Sequence, residues 1–453
     1  MSSSSMFNSL LKPDLAEMIR EQDAVGLAEF CKALHPAVTA EVLGDFTDEE
    51  VWQVLDNSSL HRQVEILEYL PVSRQAELVQ SLDRERLSSL LQEMASDDRV
   101  DLLERLDDEQ VEKILSLLAQ THRSDIRKLL SFPEGCAGSI MTTEYASLPE
   151  NITVGEALHQ LRIQAPNSET IYYIYVIDSN RRLRGFVSLR QLIMARVGTL
   201  VSDIMDREVM SVRVEDDQEA VAQMMARYDF LAVPVVDQQN QLVGIITHDD
   251  IVDVLQQEAT EDAHRIGAVA PLEDSYLNTP IFTIAWKRGG WLVFLYVAAF
   301  ITSHVLRHFK HVSLTYEWLD LFIPLVIASG GNAGSQTATL VIRTMTLGEV
   351  NRSQNTRLVL REICVGLLLG ACLAFLGFVL SLGMIGPREA CVVSITTAMV
   401  VVTGTLIGAM LPLIVKQLGM DPALMSTPLI AALLDAFGIV MYYSMAILIM
   451  STA

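Results

Sequence analysis

The sequence lacks most of the short motifs that announce chemistry. No CxxC pair, HExxH, glycine-rich phosphate loop or nucleophile elbow occurs in its 453 residues, so an enzyme reading has little to stand on. The five cysteines are Cys31, Cys136, Cys364, Cys372 and Cys391. Without pairing motifs, and with three of them in apolar runs, they support neither a zinc site nor a disulfide framework. This is the usage expected of a soluble part in a reducing cytoplasm. Residues 1–6 are rich in serine and lack a basic-then-apolar order, so no cleaved signal peptide is expected. Basic residues are also scarce, 33 Lys and Arg against 56 Asp and Glu. Finally, no uncharged run long enough to cross a bilayer occurs before residue 289.

After that point such runs dominate. Residues 289–306, 321–342, 363–386 and 390–415 carry no charge, and residues 422–450 carry one, Asp435. Each is near the roughly 20 residues a spanning helix needs, which predicts five transmembrane helices. A carboxylate at bilayer depth costs roughly 3 kcal/mol and normally faces a wet cavity, a partner or a cation. Asp435 therefore points to an ion pathway.

Charge divides as sharply as hydropathy. Residues 281–453 hold 10 basic and 7 acidic side chains, leaving 23 basic and 49 acidic for the rest. All the excess acid is in the soluble half. Such a surface repels nucleic acid and anionic lipid and attracts cations.

Residues 1–132 show apolar spacing of three and four, as at Val51 and Leu55, and no strand alternation. Thr47 with Glu50 fits a capping box, and Ser73, Ser96 and Asp107 are further N-cap candidates. A loose recurrence of boundaries such as Leu70-Pro71, Leu82-Asp83 and Leu106-Asp107 predicts a small superhelical domain of stacked hairpins. Acidic residues cluster at Asp97, Asp98 and Asp101, and again at Asp107, Asp108 and Glu109. Alone, these are expected as solvated helix starts. Only a facing acidic partner changes that reading.

Residues 133–257 contain a duplication: YVIDSNRRLRGFVSLRQLI, from residue 175, aligns without a gap on PVVDQQNQLVGIITHDDIV, from residue 234. Asp178 pairs with Asp237, Gly185 with Gly244 and Ser188 with Thr247. The unit is a helix, a strand, a turn through Asp, a second strand and a helix, and it resembles a pair of CBS domains. The copies differ where the second carries Asp249, Asp250 and Asp253, followed by Glu258, Glu261 and Asp262. Asp250 and Asp253 share a helical face and repel, as do Glu258 and Glu261, a conflict that a divalent cation with a preference for oxygen relieves. Asp217, Glu219 and Asp229 are further candidates in that repeat.

Residues 258–280 read as an amphipathic connecting helix, with Lys287 and Arg288 at the cytoplasmic entry to the membrane. Arg343, Arg352, Arg357, Arg361 and Lys416 then fall on the same side, placing the N-terminus in the cytoplasm and the C-terminus outside. His304, His308 and His311 are spaced for a metal, but no acidic residues accompany them, and an interfacial cluster is the simpler reading. In the second span Pro324 and the Gly330-Gly331 pair weaken the helix. Irregular backbone at that depth must be buried by protein or reached by water, so Asn332, Ser335, Gln336 and Thr337 are read as neutral oxygens beside a pore. Close packing through small residues competes with that reading. Pro412 and Pro428 free the carbonyls of Gly408 and Leu424. Thr427 and the Ala431 carbonyl share a helix face with Asp435. Asp421, before Pro422, is a candidate at the inner mouth, or an N-cap.

Taken whole, the segments GGNAGSQTATLVIR, GAMLPLIVKQLGMDPALMSTPLIAALLDAFG and EATED, with this domain order, resemble the MgtE family of magnesium channels and transporters. The resemblance implies a homodimer in the cytoplasmic membrane. Its parts are an all-α superhelical N domain (1–132), tandem α/β CBS domains (133–257), a connecting plug helix (258–280) and a five-helix transmembrane domain (281–453), with the second and fifth membrane helices lining the pore. By resemblance Asp435 recognises Mg2+, with the Ala431 carbonyl nearby, Asp421 at the inner mouth and Asn332, Gln336 and Thr427 lining the path. Because Mg2+ gives up water reluctantly, recognition through its hydration shell is expected. The resemblance also implies that cytoplasmic Mg2+ closes the pore by bridging acidic faces of the N domain, CBS pair and plug helix. Matching sensor positions are Asp217, Glu219, Asp229, Asp250, Asp253, Glu258, Glu261 and Asp262, with Asp97, Asp98 and Asp101 as a cluster. An adenine nucleotide is a candidate ligand of the CBS pair. The competing functions are transport of another divalent cation, such as cobalt or manganese, and a membrane-anchored CBS nucleotide sensor.

Overall fold

The structure is a computed structural model describing residues 3–451 apart from 117, 119, 273–275, 278, 349 and 351. It divides into two compact units, Met1–Leu255 and Gln256–Ala453, each taken by itself.

The first unit begins with a 19-residue helix, Ser3–Glu21, followed by short ones from Ala24–Ala33 to Gln120–Leu129. Leu43, Leu55, Leu67, Val79, Leu91, Leu103 and Leu115 are all buried, so every twelfth residue points into one core. That period is one short helix plus its turn. A single such helix cannot bury its apolar face, and stacking many of them does. The Thr47–Glu50 capping box forms, whereas Ser73 and Ser96 do not cap: Pro71 and Ala95 hold the N-cap positions. Two of these helices matter below, α1 (Leu60–Glu68) and α2 (Ser96–Glu104). The side chain of Asp108 lies outside the described residues.

The CBS repeats fold alike. In the first, β1 (Tyr145–Pro149) runs parallel to β2 (Thr170–Ile177), which pairs antiparallel with β3 (Leu183–Ser188). In the second, β4 (Val212–Arg213) precedes α3 (Gln218–Tyr228), and β5 (Ala232–Val236) pairs in the same senses with β4 and β6 (Leu242–Thr247). Asp178 and Asp237 hold equivalent turns by accepting backbone N–H groups two and four residues on. Those turns put Arg181 and Asn240 at φ of 60° and 61°. Ser188 caps the helix after β3 with Gln191 as its partner. In the second copy Thr247 takes Ser188's place and Asp250 takes Gln191's, its Oδ2 accepting from both the Thr247 amide and hydroxyl.

α4 (His248–Ile266) follows β6 without a break. It ends at Ile266, where Gly267 and a left-handed Ala268 (φ 60°) stop it, so the connecting helix expected through residue 280 is shorter and continuous with the last CBS helix. Residues 273–275 and 278 of that expected helix lie outside the described residues. The second unit then has five long helices: α5 (Ile281–His308), α6 (Trp318–Thr346), α7 (Asn355–Leu382), α8 (Pro387–Gln417) and α9 (Thr427–Ser451). Four have the length and apolar composition to cross a membrane. The other, α6, is 29 residues long, with the polar stretch Asn332–Gln336 lowering its hydropathy.

The expected irregularity in the second span is absent: α6 is continuous, with Pro324 inside it. Its glycines serve helix packing instead. A Cβ at Gly330 would lie 2.2 Å from Val400 Cγ1, one at Gly404 2.6 Å from the Gly330 carbonyl oxygen, and one at Gly408 2.4 Å from that of Gly334. Backbone therefore meets backbone between α6 and α8 at distances that side chains forbid. Pro428 stands in the first turn of α9 and opens that helix rather than breaking it.

Candidate ion sites

In the first unit, α2 is docked by its first turn. Ser96 is buried, and its Oγ accepts from the Thr143 amide at 2.9 Å and lies 3.0 Å from Thr142 Oγ1. Arg99, 2 % exposed, donates to the Met94 carbonyl and faces Glu144 at 3.8 Å. This seating brings the acidic face of α2 against the start of α4, which supplies the facing acidic partner that the sequence left open. Burial together with Asp250, Asp98 and Glu169 pushes Asp97 well above the usual carboxylate range, and one of its buried oxygens has no hydrogen-bond partner. Asp98 is pushed up to about 8 by burial, then by Glu68, Asp250, Asp101 and Glu169. Asp101 rises to about 6 by burial and by Glu104 and Asp250. Asp250 also rises to about 6, through burial and the charges of Asp249 and Asp253, although its bonds to Thr247 oppose the shift. Asp253 is raised as well, by burial and Asp249.

Two members of this zone had no signal in the sequence. Glu68, the last residue of α1, and Glu169, just before β2, each rise to about 7 through burial and neighbouring carboxylates. Neither belongs to an acidic run; only the docking of α2 brings them near Asp98. The other repeat-two candidates are placed elsewhere. Asp217 caps the start of α3, accepting from the Ala220 amide, and Asp229 is its left-handed C-cap. They are separated by about 18 Å of helix and do not share one ion. Glu219 accepts from Gln223 Nε2 at 3.0 Å.

In the second unit the end of α4 meets the start of α9. Arg265 donates to Asp421 and, at 2.8 Å, to Glu261. Asp421 also accepts from the Ala423 amide at 2.8 Å, so it is an N-cap as well. The Thr427 hydroxyl donates to the Ile266 carbonyl at 3.3 Å, and the Thr427 carbonyl accepts from Ser335 at 3.2 Å. Asp262 is pushed to about 6, by burial first and then by Asp421 and Glu258, with Arg265 and Arg343 opposing.

Further along α9, Asp435 is half-buried two turns from Thr427, with Ala431 between them. Gly331 of α6 lies opposite both: a Cβ there would stand 3.7 Å from Ala431 Cβ and 4.0 Å from Asp435 Oδ1. Asn332 and Gln336 are exposed on a neighbouring stripe of α6, whereas Thr337 is buried on another face. The Thr337 hydroxyl donates to Glu362 of α7 at 3.3 Å. Glu362 escaped notice because it borders the uncharged run 363–386 instead of interrupting it. Among the described residues, no three His, Cys, Asp or Glu side chains converge closely enough to hold an ion between them, and that includes His304, His308 and His311.

This arrangement can be set beside known proteins. Residues 34–135 match the MgtE intracellular N domain, 137–198 and 201–257 match CBS domains, and 323–445 match a divalent cation transporter family. The magnesium transporter MgtE of Thermus thermophilus is 39% identical over 445 residues, 97% of this chain and 98% of that protein. The chain belongs to the MgtE family. Its namesakes in Enterococcus faecalis and Bacillus subtilis are 36% and 33% identical, over 72% and 73% of both partners. A crystal structure of the cytosolic domain of the Mg2+ channel MgtE in complex with ATP matches 54% of this chain and 99% of its own at 39% identity, with a TM-score of 0.52. Membership in the MgtE family accounts for the order found here of a helical domain, a CBS pair and apolar helices, and it does not favour a membrane-anchored sensor.

Proposed function

We propose that this chain carries Mg2+ across the cell membrane and is closed by Mg2+ on the cytoplasmic side. The observation that carries the reading is Asp435, a half-buried carboxylate beside Gly331 in a helix otherwise free of charge. A purely anchoring helix has no use for such a group. Asp435 would select the ion through its hydration shell, with the Ala431 carbonyl one turn below.

The pore would form between two copies of the chain. Two features support that: α5 buries none of its 28 residues, and Asn332 and Gln336 stand exposed on α6. Polar groups at bilayer depth need protein or water against them. The excess acid and the basic residues flanking the apolar runs favour a cytoplasmic N-terminus and an outer C-terminus.

The cytoplasmic sensor is Asp97, Asp98, Asp101, Asp250 and Asp253, joined by Glu68 and Glu169, with Glu258, Glu261, Asp262 and Asp421 acting at the inner mouth. Ions neutralise the repulsion and hold the closed arrangement; as Mg2+ falls, the carboxylates part. Asp217, Glu219 and Asp229 are left as weaker sensor candidates. An adenine nucleotide at the CBS pair is supported by the ATP complex of the related cytosolic domain.

The test is growth of a host deficient in magnesium uptake. Wild type is expected to rescue it, and Asp435→Ala is expected not to; equal rescue by both contradicts the pore assignment.

A further inference from the structure

The inner mouth contains a charge that the scheme above does not use. Arg265 sits on the last turn of α4, beyond Glu258, Glu261 and Asp262. Its guanidinium donates through one terminal nitrogen to Asp421 and through the other to Glu261. Both ends of the pair are only about a third exposed, 31% for Arg265 and 30% for Asp421. One residue further on, the Ile266 carbonyl accepts the Thr427 hydroxyl. The end of α4 is thus fastened to the start of α9 by one charged and one neutral contact.

We propose that Arg265 is a tethered cation that occupies Asp421 and Glu261 and so biases the inner mouth toward closure, and that Mg2+ competes with it for these carboxylates. This rests on the reading of the chain as a Mg2+ pathway closed at Asp421. Asp421, Glu261, Asp262 and Glu258 gather four negative charges near the end of α4, with Arg265 and Arg343 as the basic groups facing Asp262. A guanidinium offers planar, two-pronged donation that matches carboxylates, is weakly hydrated and is always charged. It therefore does without an ion what Mg2+ does with one, but it cannot leave with falling Mg2+. Two consequences follow. The closed state keeps a floor of stability at zero Mg2+, and the affinity of this mouth for Mg2+ is set against an internal competitor. Arg265 is a positioning residue, since it acts on the ion path through Asp421.

Inside-out patches carrying the full-length protein test this in nominally Mg2+-free solution. Arg265→Ala is expected to raise open probability about five-fold, the size of one partly buried ion pair, with unchanged conductance. Arg265→Lys should rise less. Asp421→Asn should raise open probability to the same extent, and the double variant should raise it no further than either single one. An unchanged open probability in Arg265→Ala, or additive effects in the double variant, overturns the proposal. A second measurement is independent of what the pore conducts. With the native cysteines replaced by serine, Ile266→Cys and Thr427→Cys are oxidised together in Mg2+-free membranes. Arg265→Ala should slow that cross-link about five-fold and added Mg2+ should restore it; an equal rate with and without Arg265 rules the latch out. Absence of any Mg2+ current in wild type, with the cross-link still dependent on Arg265, would instead reject the transport reading and keep the latch.

Discussion

Carboxylates are treated in opposite ways in the two units. In the first they are crowded: Asp97, Asp98, Asp101, Asp250, Glu68 and Glu169 stand together and raise one another. In the second, α7 and α9 carry theirs singly, Glu362 on Thr337 and Asp435 beside Gly331, while Glu258, Glu261, Asp262 and Asp421 gather around Arg265 at the end of α4. A crowded set is unstable without cations and so responds to their concentration. On the function proposed above, a solitary carboxylate in an apolar helix discriminates among ions without such conflict, and the two units divide counting from selecting.

The contrast can be broken first at the scaffold of the membrane unit. Gly404→Leu and Gly408→Leu drive side chains into the carbonyls of Gly330 and Gly334, so each should cost more than about 3 kcal/mol. The expected result is loss of monodisperse protein on gel filtration in detergent. Gly289→Ala, which meets nothing within 4 Å, should leave elution unchanged.

The crowded set can be broken by pH. Asp98 is raised to about 8, Glu68 and Glu169 to about 7, and Asp101 and Asp250 to about 6. Because these folded values lie above the unfolded ones near 4, their contribution is fully present below about pH 4 and is lost as pH rises through 6 to 8. Metal-free protein should therefore lose thermal stability between pH 5.5 and 8.5, on the order of several degrees, and Mg2+ should flatten that slope. A smaller change is expected from Asp98→Asn, which removes one repelling charge. Its metal-free Tm should rise by about 2–4 °C while the gain from Mg2+ shrinks. Smallest of all, Glu362→Gln keeps an acceptor for Thr337 and should match wild type, whereas Glu362→Ala should cost about 1 kcal/mol in chemical denaturation.

How much of this the sequence disclosed depended on how local the signal was. The CBS turns at Asp178 and Asp237 and the Thr47 capping box are set within five residues and were legible. Four of the five expected spans were legible as helices long and apolar enough to cross a membrane, since hydropathy is written along the helix; the polar residues of α6 take it below that mark. The end of α4 was placed too late because the amphipathic pattern continues past Gly267, whereas the backbone turns there. Gly330 was open to two readings, a weak point in α6 or a site of close packing, and α8 lying against it decides for packing. Glu68 and Glu169 were invisible, since neither belongs to an acidic run and three-dimensional docking alone unites them. Asp250 was found as a charge, but its second duty as the capping partner of Thr247 required the superposition of the two repeats to see.

The most direct measurement compares two variants in one preparation, Mg2+ flux into proteoliposomes with luminal or external Mg2+ varied. Asp435→Asn should lose flux while keeping the stabilisation of the first unit by Mg2+, and the pair Asp98→Asn with Asp250→Asn should keep flux while losing its closure by Mg2+. If Asp435→Asn conducts as wild type does, or if the sensor pair closes normally, the division between selecting and counting is wrong.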